Sequence, residues 1–180
     1  MKKFFIPILI CFATLQAFAQ KQDRISGYFL LHYYKTIYDR TLGNNPSGVG
    51  ISVQTMINTK SIFSPIIEIN AQGSLEDDDV LRLTKNGNAV PDASGIINVF
   101  AGSAFRITHH FSFSFDIGPS FINNHTYFGI KPSCNFYFSK KKRITAQVSY
   151  LNIFNRTFNY DETKKPDFGS LHVGIGIKLF

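Results

Sequence analysis

Tryptophan is absent from the 180 residues, cysteine occurs twice, and charged residues make up only 17% of the chain. Low charge beside 19 Phe and 8 Tyr excludes a disordered chain, because burying that much aromatic surface offsets the entropy of ordering. Long apolar runs are missing too. After the first twenty residues no stretch approaches the ~20 consecutive apolar positions that a transmembrane helix needs. Cys11 falls in a leader segment, so Cys134 is left alone and no intramolecular disulfide can staple the mature chain. With Pro132 and Phe136 two positions away, Cys134 reads as part of an apolar strand face rather than as a reactive thiol. There is no acidic excess, since the formal net charge is +7. The basic residues are scattered except at Lys140 to Arg143, a polybasic turn, and export separates the chain from nucleic acid, so no nucleic-acid partner is expected.

The leader itself is legible. Lys2 and Lys3 form a positive start, Phe4 to Phe12 an apolar stretch, and Ala17-Phe18-Ala19 a small-x-small cleavage site before Gln20. Residues 1–19 are therefore expected to be a signal peptide and residues 20–180 one domain. Ile10 precedes Cys11 within the apolar stretch, a poor context for lipid attachment.

The dominant pattern is a period of two. From Phe111 to Phe121 the chain reads Phe-Ser-Phe-Ser-Phe-Asp-Ile-Gly-Pro-Ser-Phe, and Tyr127 to Phe138 alternates in the same way. Such alternation is the signature of a strand with one polar and one apolar face. Eight segments carry it, near 26–38, 46–58, 61–73, 94–107, 109–120, 126–139, 142–154 and 169–180. The first, around Tyr28-Phe29-Leu30-Leu31-His32-Tyr33-Tyr34, is apolar on both faces and alternates least. Most segments match or exceed the ~9–11 residues with which a tilted strand crosses a bilayer. Tight turns at 58–61, 108–109 and 139–142 alternate with longer polar links near 39–45, 74–93, 121–125 and 155–168, as turns and loops do in outer-membrane barrels.

The polar faces carry Glu68, Arg106, Asp116, Lys131, Arg143 and Lys178, with His110, His172, Gln54 and Gln147, opposite the Phe-rich faces. A soluble barrel binding an apolar ligand in a Phe-lined cavity, as lipocalin-like proteins do, would turn the Phe side inward and is the alternative. A membrane barrel turns Phe111, Phe136, Phe138 and Tyr150 outward to lipid.

Leader, eight long amphipathic strands, turn-loop alternation and a last strand Leu171 to Phe180 together resemble the small outer-membrane β-barrel family, the eight-stranded OmpA-transmembrane and OmpX-like barrels. The resemblance spans essentially the whole mature chain and is architectural. It implies an all-β, eight-stranded antiparallel up-and-down transmembrane β-barrel in the bacterial outer membrane. Its partners would be outer-membrane lipid, lipopolysaccharide and the barrel assembly machinery, which reads a terminal aromatic residue. Here that residue is Phe180, one step out of phase with Leu171, Val173, Ile175, Ile177 and Leu179.

A barrel of this size is filled by side chains. Glu68 and Asp116 among Arg106, Lys131, Arg143 and Lys178 are therefore expected to form a charged interior network in a monomer without a permanent channel. No catalytic site, cofactor or metal is expected. His110, Ser112 and Ser114 share a face with Asp116, and His172 could lie nearby, but no nucleophile motif surrounds them. His109 and His110, adjacent on a strand, point to opposite faces. The loops are the better candidates for binding: Glu76, Asp77, Asp78 and Asp79 in one, and Arg156, Phe158, Tyr160, Lys164 and Lys165 in another. The aromatics and cations of the second suit an anionic surface.

Overall fold

A chain whose strands alternate polar and apolar residues hides one face by curling its sheet onto itself, and closure also removes the unpaired edges. The computed structural model describes residues 24–39, 47–75, 82–83, 89–90, 93–122, 125–139, 142–154 and 167–180. In chain order the strands are β1 (Ile25–Asp39), β2 (Ser47–Ile57), β3 (Phe63–Leu75), β4 (Arg82–Leu83), β5 (Ala89–Val90), β6 (Ala93–Arg106), β7 (Phe111–Ile122), β8 (His125–Tyr137), β9 (Ile144–Phe154) and β10 (Phe168–Lys178). Eight of them close into a barrel ordered β1-β10-β9-β8-β7-β6-β3-β2, and every neighbouring pair is antiparallel. The last strand meets the first through pairs such as Leu31 with Ile175, with a bulge between Thr36 and Tyr38. The expected signal peptide lies outside the described residues.

The eight expected strands all form, within a few residues of their expected bounds. β1 belongs to the barrel although both its faces are apolar, because its inward residues Tyr28, Leu30 and Tyr34 fill the two ends of the lumen and His32 its middle. Two expected links differ. Residues 121–125 are not a loop: β7 runs to Ile122 and β8 starts at His125, leaving only Asn123-Asn124 between them. Short and long connections therefore do not alternate strictly. The link 74–93 is also shorter, since β3 and β6 extend into it, and it carries the small β4-β5 sheet with Arg82 opposite Val90.

The remaining tight turns gather with both termini of the barrel at one end, the turn end. Thr108 braces one, its Oγ1 accepting from Phe111 N at 3.0 Å and from His110 N at 3.2 Å. In another, Lys142 N donates to Ser139 O at 2.8 Å and Lys142 takes a left-handed φ of 53°. The C-terminal aromatic resolves its phase problem through a bulge, in which Leu179 and Phe180 both oppose Gly27, whose N donates to Phe180 O at 3.2 Å. β10 ends at Lys178, Leu179 N donates to Gly27 O at 2.8 Å, and the Phe180 ring lies over the outer side of Gly27. A Cβ on Gly27 would sit 2.5 Å from Phe180 Cζ, so only glycine lets the ring lie flat there.

Outward positions are apolar almost without exception. Among the side chains described in the barrel strands, the charged ones are Lys35, Glu68, Arg106, Asp116, Lys131 and Lys178, and only Lys35 faces out. Aliphatic residues, including Ile51, Val53, Ile67, Ile69, Ile117, Val148, Val173 and Ile175, form the exposed middle of the wall. Aromatic residues bracket it: Phe63, Phe105, Phe113, Phe136 and Phe138 toward the turn end, and Phe121, Phe128, Phe154 and Tyr33 toward the opposite, loop end. Position along this wall sets the cost of a charge. Val148→Arg, at mid-height, should destabilise the folded barrel by about 2–4 kcal/mol, whereas Phe138→Arg at the rim should cost about 0–1 kcal/mol. Urea titration of folding into zwitterionic vesicles measures both, and equal costs would contradict a hydrocarbon-facing wall.

Candidate functional site

The lumen is built in three layers. At the turn end Tyr28, Leu30, Met56, Ile66, Ala104 and Tyr137 form an apolar cluster, with the Tyr28 and Tyr137 rings 6.0 Å apart. At the loop end a second cluster joins Tyr34, Ile96, Phe100, Ile122, Leu151, Ile153 and Phe168. Between them lies a polar layer with an ion pair at its centre. Lys131 of β8 reaches across the lumen, past β7 and β6, to the Glu68 carboxylate of β3, and the two side chains are only 1% and 0% exposed. Gln54 donates to Glu68 Oε2 at 3.4 Å.

Asp116 stands directly opposite Lys131 in the β7-β8 register and is fully buried, but neither of its oxygens has a hydrogen-bond partner among the described residues. A rail of amides continues toward β1. Asn98 Nδ2 donates to Asn70 Oδ1 at 3.0 Å, and Asn70 Nδ2 donates to His32 Nε2 at 3.0 Å. His172 stacks on Tyr34 with ring centres 5.2 Å apart and pairs with Ser170 Oγ at 2.8 Å. Gln147 donates to Asn135 Oδ1 at 2.9 Å. Inward glycines make room for the larger groups: a Cβ on Gly174 would come within 2.8 Å of His32 Cβ, and one on Gly129 within 3.1 Å of the Phe100 ring.

The expected charged residues thus separate into two groups. Glu68, Asp116 and Lys131 come together in the middle of the lumen. Arg106 and Lys178 are half-buried at the turn end, beyond the Tyr28-Tyr137 cluster, and are not part of that network. Arg143 and His110, expected to face inward, are exposed in turns, because β9 begins only at Ile144 and β7 only at Phe111. The possible catalytic set is not assembled either. Ser112 sits at the turn end with its hydroxyl 3.2 Å from Tyr137 Oη, and His172 belongs to the loop half of the lumen. Glu76 to Asp79, and Arg156, Phe158, Tyr160, Lys164 and Lys165, lie outside the described residues. Sequence reading missed His32, Asn70, Asn98 and Ser170, although Asn70 continues the polar period set by Glu68 on β3.

A closed ladder, an uncharged apolar wall between two aromatic girdles and charges turned inward define a class: an eight-stranded transmembrane β-barrel of the outer-membrane type. The soluble lipocalin-like alternative fails on orientation, since the Phe-rich faces of β7 and β8 point outward and the lumen is occupied by side chains. No protein-family model matches the chain, and no curated protein sequence matches it. Solved structures do. The crystal structure of Ail, the attachment invasion locus protein of Yersinia pestis, aligns with a TM-score of 0.59 at 13% identity, covering 88% of this chain and 100% of that one. Ail in a phospholipid bilayer nanodisc aligns at 0.54 and 11%, covering 86% and 99%. Ail in complex with the heparin analogue sucrose octasulfate aligns at 0.52 and 12%, covering 86% and 96%. At these identities the likeness is one of fold.

The Glu68-Lys131 strut predicts a sharp asymmetry between single and double replacement. Lys131→Met alone should cost about 3–5 kcal/mol, since it strands a buried carboxylate, while Glu68→Leu with Lys131→Met should be near neutral. Urea unfolding midpoints of the four proteins of this cycle test it, and additive losses would refute a direct pair.

Proposed function

We propose that the protein serves the outer membrane as a monomeric structural or surface-interaction barrel, its lumen sealed rather than conducting, and that it has no catalytic role. The observation that carries this reading is the layered lumen, in which the Glu68-Lys131 pair lies between two clusters of buried apolar side chains. A pore needs a continuous hydrated path, and close-packed apolar layers at both ends oppose one.

With the lumen filled, chemistry is left to the surfaces. The strand ends joined by residues 40–46, 76–92 and 155–167 all lie at the loop end, opposite the termini. Those segments carry Glu76, Asp77, Asp78 and Asp79, and Arg156, Phe158, Tyr160, Lys164 and Lys165, in the sequence. The second set joins cations to aromatics, the combination that holds sulfated, phosphorylated or carboxylated surfaces, lipopolysaccharide among them. Ail, which shares the fold, has been crystallised with a sulfated heparin analogue. The assembly machinery would read the Phe180 end of the chain, where the ring is presented on the outer wall.

Two measurements test the reading. Purified barrel in a planar bilayer should give no steady unitary current, and regular single-channel steps would overturn the sealed lumen. Deleting residues 156–165 should weaken adhesion of expressing cells to an anionic glycan surface by severalfold without changing the heated-versus-unheated gel shift of the barrel. Unaltered adhesion would remove the binding role from that loop.

A further inference from the structure

The turn end carries a charge arrangement that neither the sealed lumen nor the loops explain. Three cations from three elements border the Tyr28-Tyr137 side of the apolar floor formed by Tyr28, Leu30, Met56, Ile66, Ala104 and Tyr137: Arg106 at the end of β6, opposite Ser112, whose Oγ lies 3.2 Å from Tyr137 Oη; Lys142 in the β8-β9 turn; and Lys178 at the end of β10, opposite Tyr28. All are half-buried. Arg106 Nη2 donates to Ser64 Oγ at 3.2 Å and to Thr59 O at 3.5 Å, which fixes it at the rim against β3 and the β2-β3 turn. Lys142 Nζ lies 4.5 Å from the centre of the Tyr137 ring. Burial, followed by the charges of Arg106 and Lys178, lowers the Lys142 ammonium from its ordinary range, the mark of positive groups held within reach of one another. Arg24, Lys60 and Arg143 are exposed at the same end. Among the described residues no Asp or Glu side chain accompanies them, and Glu68 and Asp116 lie on the far side of the apolar floor.

The height of this cluster identifies its counterion. On the outer wall, at the strand ends, runs the turn-end girdle, with Phe63 and Phe105 ring centres 4.6 Å apart and those of Phe136 and Phe138 5.3 Å apart. Aromatic girdles sit at headgroup level, so the cations stand in the plane of the lipid phosphates. Phe138 and Leu179, outward and exposed, flank the cluster and offer an acyl chain an apolar wall. We propose that Arg106, Lys142 and Lys178 form a site for the phosphodiester headgroup of an anionic glycerophospholipid in the leaflet at the turn end. The proposal rests on the bilayer placement of the barrel, and its occupant is a lipid rather than free phosphate because the mouth and the girdle share one level.

The test uses the full chain folded in zwitterionic detergent, with the heated-versus-unheated gel shift as proof of folding, and native mass spectrometry to count bound phosphatidylglycerol against phosphatidylcholine. Wild type should retain phosphatidylglycerol at least about tenfold more strongly. Arg106→Gln, Lys142→Asn and Lys178→Gln together should abolish that preference, while Lys35→Gln at the loop end should leave it intact. Lys142→Asn alone, which suits the left-handed turn position, should reduce it about threefold and serves where the triple variant does not fold. Equal retention of the two lipids by wild type, or undiminished preference in a folded variant, overturns the proposal. So does complete loss of bound lipid when sodium phosphate replaces sodium chloride at matched ionic strength, which would assign the site to free phosphate. A chain that shows no gel shift in detergent would instead strike the barrel reading itself.

Discussion

Amide and carbonyl groups in hydrocarbon have only one another as partners, and each one left unpaired costs several kcal/mol. The pairing of β10 with β1 settles that requirement, because it turns an open sheet with two edges into a ring with none. Much else in the molecule follows from it. Once the ring is closed with eight strands, its diameter is fixed, and the space inside is just wide enough for side chains. The inward positions must then be chosen for volume as well as polarity. Large groups, Tyr28, Tyr34, Phe100 and Phe168, face positions where glycine or serine yields, as at Gly129 beside Phe100.

The same closure decides where charge goes. An ionised side chain on the wall would meet lipid, so Glu68, Asp116 and Lys131 turn inward, where they can answer one another across the lumen. Near the ends the constraint relaxes. Lys35 faces outward close to the loop end, and Arg106, Lys142 and Lys178 sit half-buried at the turn end. Apolar layers at both ends of the lumen then isolate the central pair, which strengthens its attraction and raises the cost of breaking it.

Strand number, order along the chain and facing were legible because period two survives wherever one side meets lipid and the other does not. Phe111 to Phe121 and Tyr127 to Phe138 encode their orientation residue by residue. Legibility failed where that contrast fades. Arg143 and His110 keep the parity of inward residues but sit past the strand ends, so periodicity alone misplaces them. Asn123-Asn124 reads as polar loop and connects a hairpin, because polarity reports exposure and not length. The candidate site was half legible: Glu68, Asp116 and Lys131 could be assigned to the lumen, but which cation met which acid depended on strand stagger and side-chain reach, neither of which is written in a single strand. Phe180 was out of phase in the sequence and regains the outer wall because Leu179 and Phe180 together oppose Gly27, a bulge that alternation cannot signal.

A buried ion pair adds little net stability over an apolar pair of equal size, so the Glu68-Lys131 strut needs another reason to exist. Register supplies it. Side chains alternate with a period of two, so slipping any strand by one residue exchanges its lipid and lumen faces. For β8 such a slip would drive Lys131 and Tyr137 into lipid and turn Ile130, Phe136 and Cys134 toward the polar layer. For β3 it would do the same with Glu68, Asn70 and Gln72. A lumen filled only with aliphatic side chains would carry a far smaller penalty for that error, since both faces would then tolerate hydrocarbon. Polar groups in the middle of the barrel therefore act on the alternatives more than on the native state: they make every misregistered pairing expose a charge or an amide to lipid. Placing them at mid-height maximises the effect, because there the bilayer is least forgiving of charge.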